Sequence, residues 1–544
     1  MSNYKKLAAW LPVIIAGSIA LGIFIGNYYL AISSGNTKRP AGGNKINAIL
    51  DIIDDQYVDT VDMSALVEGT IPKIFSELDP HSVYIPAKDL QAVNEDLEGS
   101  FSGIGIEFNM LTDTLVVINV IPGGPSEKAG LFPGDRILEI NDSVYVGKEN
   151  QSKIMKLLRG EKNSTVKLGI MRGSSPELLS FEVTRGDIPV KSVVAAYEVS
   201  KGIGYIKVTK FARTTYDEFL TAIAKLKEEG CNAFVIDLRG NTGGFLDIAI
   251  KMINEFLPDG NLIVYTEGKA SPRKDVFANG TGTCKQDDVV VLTDEWSGSA
   301  SEIFSGAIQD NDRGLIIGRR TFGKGLVQSS LTLSDGSALR LTIARYYTPS
   351  GRCIQKDYEL GKSDEYEQDL INRFMHGEFD SKDSIKIDDS LKYQTTIGRT
   401  VYGGGGIMPD IFIPRDTSGI TSYYSSVINS SLLYQFAFNY ADKNREKLSS
   451  FKSYRELYDY LKTQPLLEDF TDYAAANGIK KRPTLINISA KLLTNLLDAY
   501  IVRNIFDDAG FYPVILEDDL TLNKAVEVIK EGKARPLPPA EDDK

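Results

Sequence analysis

Apolar residues recur along this chain at different spacings, and the changes of spacing mark its parts. From about residue 44 to 80 they fall at helical intervals, as in INAILDIIDDQYV. LDPHSVYIP then interrupts, because Pro80 and Pro86 exclude a long helix. Between 99 and 186, GSFSGIGIEF, TLVVINVI, DRILEIND, STVKLGIMR and LSFEVTR read as short strands, with SEKAG and NQSKIMKLL as short helices between them. From about 187 to 355, IGYIKVTKF, AFVIDLR and VVVLTDE predict strands, and TYDEFLTAIAKLKEEG, FLDIAIKMINEFL and SEIFSGAIQDN predict helices. That alternation implies an α/β layer with a mostly parallel sheet. A polar stretch, 356–396, reads as an exposed insertion before YGGGGIMPDIFIP. Beyond about 416 the period is helical again, as in SAKLLTNLLDAYIVRNIF and LNKAVEVIKEG, and the tail KARPLPPAEDDK is Pro-rich and charged.

The resulting organisation is an N-terminal segment 1–36, a helical segment 44–98, a β-rich module 99–186, an α/β core 187–415 and a helical region 416–544. The segment Leu7 to Gly26 holds twenty residues without a charge, long enough to span a bilayer. A retained anchor is the expectation, with a cleaved signal peptide as its alternative. Its short N-terminal tail favours export of the remainder. The net charge of −12 argues against a nucleic-acid surface. Three widely spaced cysteines, Cys231, Cys284 and Cys353, support neither a disulfide framework nor a zinc site. With only two histidines, His81 and His376, a hydrolase here would be short of its commonest base.

GRRTFGKG, Gly318 to Gly325, imitates a phosphate loop, yet Gly325 stands where the magnesium-binding Ser or Thr belongs, and LVQSSLTL continues as a strand. The neighbouring loops point to acyl transfer instead. Ser299 lies where VVVLTDEWSGSASEIF passes from strand to helix, and the Gly243-Gly244 turn follows the strand AFVIDLR. The N–H groups of Gly243 and Ala300 are candidates for holding an oxyanion beside Ser299. Lys324, among apolar neighbours, could serve as the base if burial keeps its amine neutral. Gln328 could orient that amine without adding charge. Taken singly, Ser299 could equally be a helix N-cap, and Lys324 a solvated loop residue.

DLRGNTGG, GSASE, GRRTFGKGLVQ, YYTPSGRCIQ and YGGGGIMPD occur in the order seen in the carboxyl-terminal processing, or tail-specific, proteases, which residues 45–415 resemble. The resemblance implies a crotonase/ClpP-like core and a serine endopeptidase with Ser299 as nucleophile, Lys324 as base, Gln328 as its partner, and Gly243 and Ala300 as oxyanion donors. No cofactor and no metal are implied. It also implies that 99–186 is a PDZ domain, whose loop Gly103, Ile104, Gly105 and Ile106 receives the carboxylate of an apolar protein tail. Arg159 is a candidate regulatory residue, and His81 fits as structural. The expected place is a bacterial inner membrane, with the catalytic part in the periplasm, or the periplasm itself after signal cleavage. The region 416–544 carries no readable motif; docking to an adaptor, oligomerisation with further copies, or capping of the cleft are open for it. An alternative to the protease is a PDZ scaffold on an inactive protease fold.

Overall fold

The computed structural model describes residues 43–111, 114–144, 151–172 and 177–539. The expected anchor, 1–36, lies outside the described residues. Two compact units divide at residue 74. The first holds the helix Gly43–Gln56 and most of Met63–Ser76, as the helical spacing of 44–80 predicts.

The larger unit is organised around a six-stranded sheet in the order Val193–Ser200, Ile203–Val208, Ala233–Asp237, Asp288–Thr293, Leu315–Gly318 and Ile411–Phe412. The first pair is antiparallel and the remaining pairs are parallel. Its central strands are apolar without interruption, because both faces are covered. Alternate residues serve opposite faces. Phe234, Ile236, Val289 and Val291 pack on the helices Thr215–Glu228, Leu246–Asn254 and Ala300–Asp310. Tyr205, Val235, Val290 and Leu292 pack on Leu522, Ala525 and Val528 of the helix Leu520–Lys530. Thus the helix Leu520–Lys530 closes the second face of this sheet. A second sheet joins Val83–Ile85, Ala338–Tyr347, Leu262–Gly268 and Ser271–Phe277, with Leu326–Thr332 also paired to Ala338–Tyr347.

The β-rich module is a sheet of Ile106–Leu111, Thr114–Val120, Arg136–Ile140, Thr165–Met171 and Leu179–Thr184, with helices Pro125–Ala129 and Gln151–Leu158. Its entering and leaving strands, Ser100–Gly103 and Gly186–Pro189, pair antiparallel, as suits a module inserted into another fold. The polar insertion is less exposed than its composition suggests. Its helix Ser363–Met375 buries Tyr366 and Arg373, and the Arg373 guanidinium donates to the carbonyls of Arg320 and Thr321 at 2.9 and 3.0 Å. Polar composition misleads here because these charges are spent on backbone oxygens and on Glu378, not on water. The helical region has a core of its own. Its helix Pro483–Ile515 is long and apolar enough to cross a membrane by composition, but Leu493, Leu497, Ile501 and Val502 are buried inside that core.

Leu522→Ala removes a buried side chain from the contact between the last helix and the sheet. The expected cost is about 2–5 kcal/mol, seen as a lower urea midpoint with an unchanged slope. An unchanged midpoint would show that this helix adds nothing to the core.

Candidate active site

Ser299 stands at the start of the helix Ala300–Asp310 with φ 55° and ψ −112°, a backbone state that side-chain-bearing residues avoid. The turn persists because its surroundings fix it. The Ser297 hydroxyl donates to the Leu238 carbonyl at 2.9 Å, Gly298 N–H to the Asn241 carbonyl at 3.0 Å, and the Ser301 hydroxyl to that same carbonyl at 2.8 Å. Gly240 N–H donates to Asp294 at 2.9 Å, so the loops after two neighbouring strands are stitched together. Gly243 has φ 111°, and a Cβ built on it would lie 2.7 Å from Ser299 Cβ and 3.0 Å from Ala300 N. Glycine is therefore required there both by conformation and by the closeness of the serine.

The lysine loop is tied to the serine by one buried carboxylate. Glu302 Oε2 accepts from the amides of Ser299 and Lys324, each at 2.8 Å. Those two nitrogens therefore lie no more than twice 2.8 Å apart. Glu302 Oε1 accepts from Gly323 N–H at 2.7 Å and the Thr321 hydroxyl at 2.6 Å. Burial pushes the Glu302 carboxyl up to about 7, against the pull of these four donors. On the carbonyl side, the buried Tyr346 hydroxyl reaches Ser299 O at 3.1 Å and also Lys324 O. Serine and lysine are thus braced through both ends of their peptide units.

Burial holds the Lys324 amine below the ordinary lysine value. The Arg340 charge adds to this, while Glu302 and Asp79 oppose it. Among the described residues no hydrogen bond joins the Ser299 hydroxyl to the Lys324 amine. Gln328 donates to Thr342 Oγ1 at 3.3 Å, and that hydroxyl donates to Asp79 Oδ1 at 2.8 Å. Gly243 N–H donates to Asn241 Oδ1 at 2.9 Å, whereas Ala300 N–H, at the first turn of its helix, has no partner among the described residues. His81, remote in sequence, comes to this site. Its Nε2 lies 3.1 Å from the Tyr366 hydroxyl, and burial with the Lys324 charge lowers it to about 4.

The loop Gly103, Ile104, Gly105 and Ile106 lines a cavity on the β-rich module. Arg159 lines the same cavity, its guanidinium 4.1 Å from the Phe101 ring centre. The residues that sequence reasoning missed are Glu302, Tyr346, Asn241 and Asp79. Glu302 had a signal: Ser299-x-x-Glu302 has the spacing of a helix capping box. Tyr346, on a distant strand, had none. Arg239, just before the glycine turn, makes two bonds to Asp519 at 2.8 and 3.0 Å, which links the helical region to the loop that carries Gly243.

Residues 202–361 match the model of peptidase family S41, and 102–183 match a PDZ domain. Residues 31–89 match the N-terminal domain of the activating protease CtpB, and 423–507 match a family of unknown function. The chain is 32% identical to the carboxy-terminal processing protease CtpB of Bacillus subtilis over 363 residues, covering 64% of this chain and 75% of that protein. It is 35% identical to a CtpA-like serine protease of Staphylococcus aureus over 325 residues, and spans 64% of that protein's length. Among solved structures it is similar to the photosystem II D1 C-terminal processing protease, at 24% identity, 69% of this chain, 94% of that one and a TM-score of 0.35.

Glu302→Gln places an NH2 group where only donors converge. It is expected to cost about 2 kcal/mol of stability and to lower activity by more than about tenfold, since one of the two acceptor oxygens that join the Ser299 and Lys324 loops is lost. Between the ordinary value of 4.5 and about 7 the folded chain keeps a proton on Glu302 that the unfolded chain has released. Its contribution to stability therefore falls as pH rises through that window, and the variant should lack this slope in pH-dependent denaturation. Gly243→Ala should fold yet lose nearly all activity, because the new methyl group meets Ser299; an active variant would contradict the crowding seen here.

Proposed function

Because this chain belongs to the S41 family of carboxy-terminal processing proteases, we propose that it is a serine peptidase working through a Ser299–Lys324 dyad. In this reading the neutral Lys324 amine takes the proton of the Ser299 hydroxyl as the oxygen attacks a peptide carbonyl. The oxyanion is held by Ala300 N–H and, once it leaves Asn241, by Gly243 N–H. The protonated lysine then returns its proton to the leaving amine, and water repeats the sequence on the acyl-enzyme. Gln328 orients the lysine after giving up Thr342. The observation that supports this best is the shared acceptor Glu302, which keeps the nucleophile and the base as neighbours.

The PDZ module captures the substrate by its free C-terminus, with an apolar last residue, and cleavage follows near that end. The core is of the crotonase/ClpP type. Residues 7–26 retain the enzyme at a bacterial inner membrane, with the catalytic part on the periplasmic side.

Two protein substrates that differ only in an apolar or a charged tail would test this reading, with the chain lacking residues 1–36. Cleavage of the apolar-tailed substrate alone is expected, unaffected by chelators and abolished by Ser299→Ala or Lys324→Ala. Since the base must be neutral, activity should rise with pH and level off below the ordinary lysine value of 10.5. Activity that survives Lys324→Ala would overturn the dyad.

A further inference from the structure

A cavity of about 570 Å³ lies between the PDZ module and the helical region. Its PDZ side includes the strand Ile106–Leu111, which pairs only with Thr114–Val120 among the described residues and so has one open edge. An extended peptide can add to such an edge. The Ile104 carbonyl accepts from Ser126 N–H and the Gly105 carbonyl from Ile121 N–H, at 2.9 and 3.0 Å, which fixes the loop. Neither the Ile104 nor the Gly105 amide donates to another described residue. Arg159 stands beside them without a carboxylate partner among the described residues. The volume suits a few residues of bound peptide.

The opposite wall is formed by Tyr434, by Arg445, which is paired with Asp442 at 3.6 Å, and by Arg503 to Ile505 with Asp507 and Asp508. There the helix Pro483–Ile515 breaks at Asp507, whose φ of 51° and ψ of −153° are rare outside glycine. Arg503 is paired with Asp508 at 3.0 Å. Glu107 on the PDZ strand and Asp507 on the helical region both line the cavity, and neither has an ion pair among the described residues. Burial and neighbouring carboxylates push both side chains above the usual carboxylate range, while Arg503 and Lys191 only partly offset this.

We propose that the helical region is the second wall of the tail-binding cleft, and that Glu107 and Asp507 together hold a basic side chain upstream of the apolar terminus. This rests on the tail-capture reading above. With the terminal carboxylate at Ile104 and Gly105, a strand rise of about 3.3 Å per residue brings Glu107 level with roughly the second or third residue before the last. A Lys or Arg there supplies a direct ion-pair partner for the two carboxylates, which Arg503 and Lys191 offset only in part. A Glu there adds a further negative charge and is rejected.

The test uses the full chain carrying Ser299→Ala, which binds without cutting, and fluorescent peptides ending in two apolar residues with Lys or Glu at the third position from the end. A third peptide has an amidated end. The Lys peptide is expected to bind about tenfold more tightly than the Glu peptide, and Glu107→Gln or Asp507→Asn to reduce that preference to about twofold or less. A photo-crosslinker at the third position should label the PDZ module and residues 503–508 alike. Equal binding of the Lys and Glu peptides, or labelling confined to the PDZ module, overturns the proposal while leaving tail capture intact. Equal binding of free and amidated tails overturns tail capture itself. Should Asp507→Asn fail to fold, Glu107→Gln and the crosslink still decide.

Discussion

The geometry of the candidate active site depends on one buried carboxylate. Glu302 is fully buried, and each of its oxygens gathers two donors, so that of the four one comes from the Ser299 turn and three from the Lys324 loop. Removing a carboxylate from water is costly, which is why its proton affinity is raised. The four donors offset that cost only while both loops stay in place. The penalty for burial thus becomes a reason for the two loops to remain together, and the unfavourable backbone at Ser299 persists within that constraint.

The helical region is bound to the catalytic core at two different levels. Leu522, Ala525 and Val528 supply one face of the main sheet with its apolar cover. Close by, Asp519 caps the same helix through the Leu522 amide at 2.7 Å and also receives the Arg239 guanidinium. Arg239 is held in turn by the buried Asp237, whose carboxyl is kept well below its usual range by Arg239 and Lys207 despite burial. A change in the position of this region would therefore be felt at the turn that carries Asn241 and Gly243.

Strands and helices of the α/β core were legible because their periods are clean and their lengths ordinary; AFVIDLR and VVVLTDE read as strands, and Ala233–Asp237 and Asp288–Thr293 are strands. GSFSGIGIEF was read as one strand and is two, since positive φ at Gly105 breaks it between Ser100–Gly103 and Ile106–Leu111. The nearness of Ser299 and Lys324 was expected, but the Tyr346 hydroxyl that bridges their carbonyls was not, because it arrives from a strand far away in sequence. Local spacing also could not reveal that Gly243 N–H is engaged by Asn241, or that the charges of the insertion face inward onto the lysine loop.

The PDZ module leaves the core through Ser100–Gly103 and returns through Gly186–Pro189, and these two strands are bonded to each other. Two paired strands resist bending far better than two separate linkers, so the loop Gly103 to Ile106 is held at a nearly constant remove from the α/β core. Under the proposed tail capture such a mounting would work as a ruler, setting how far from its end a bound chain is cut by its own length and not by the residues flanking the cut.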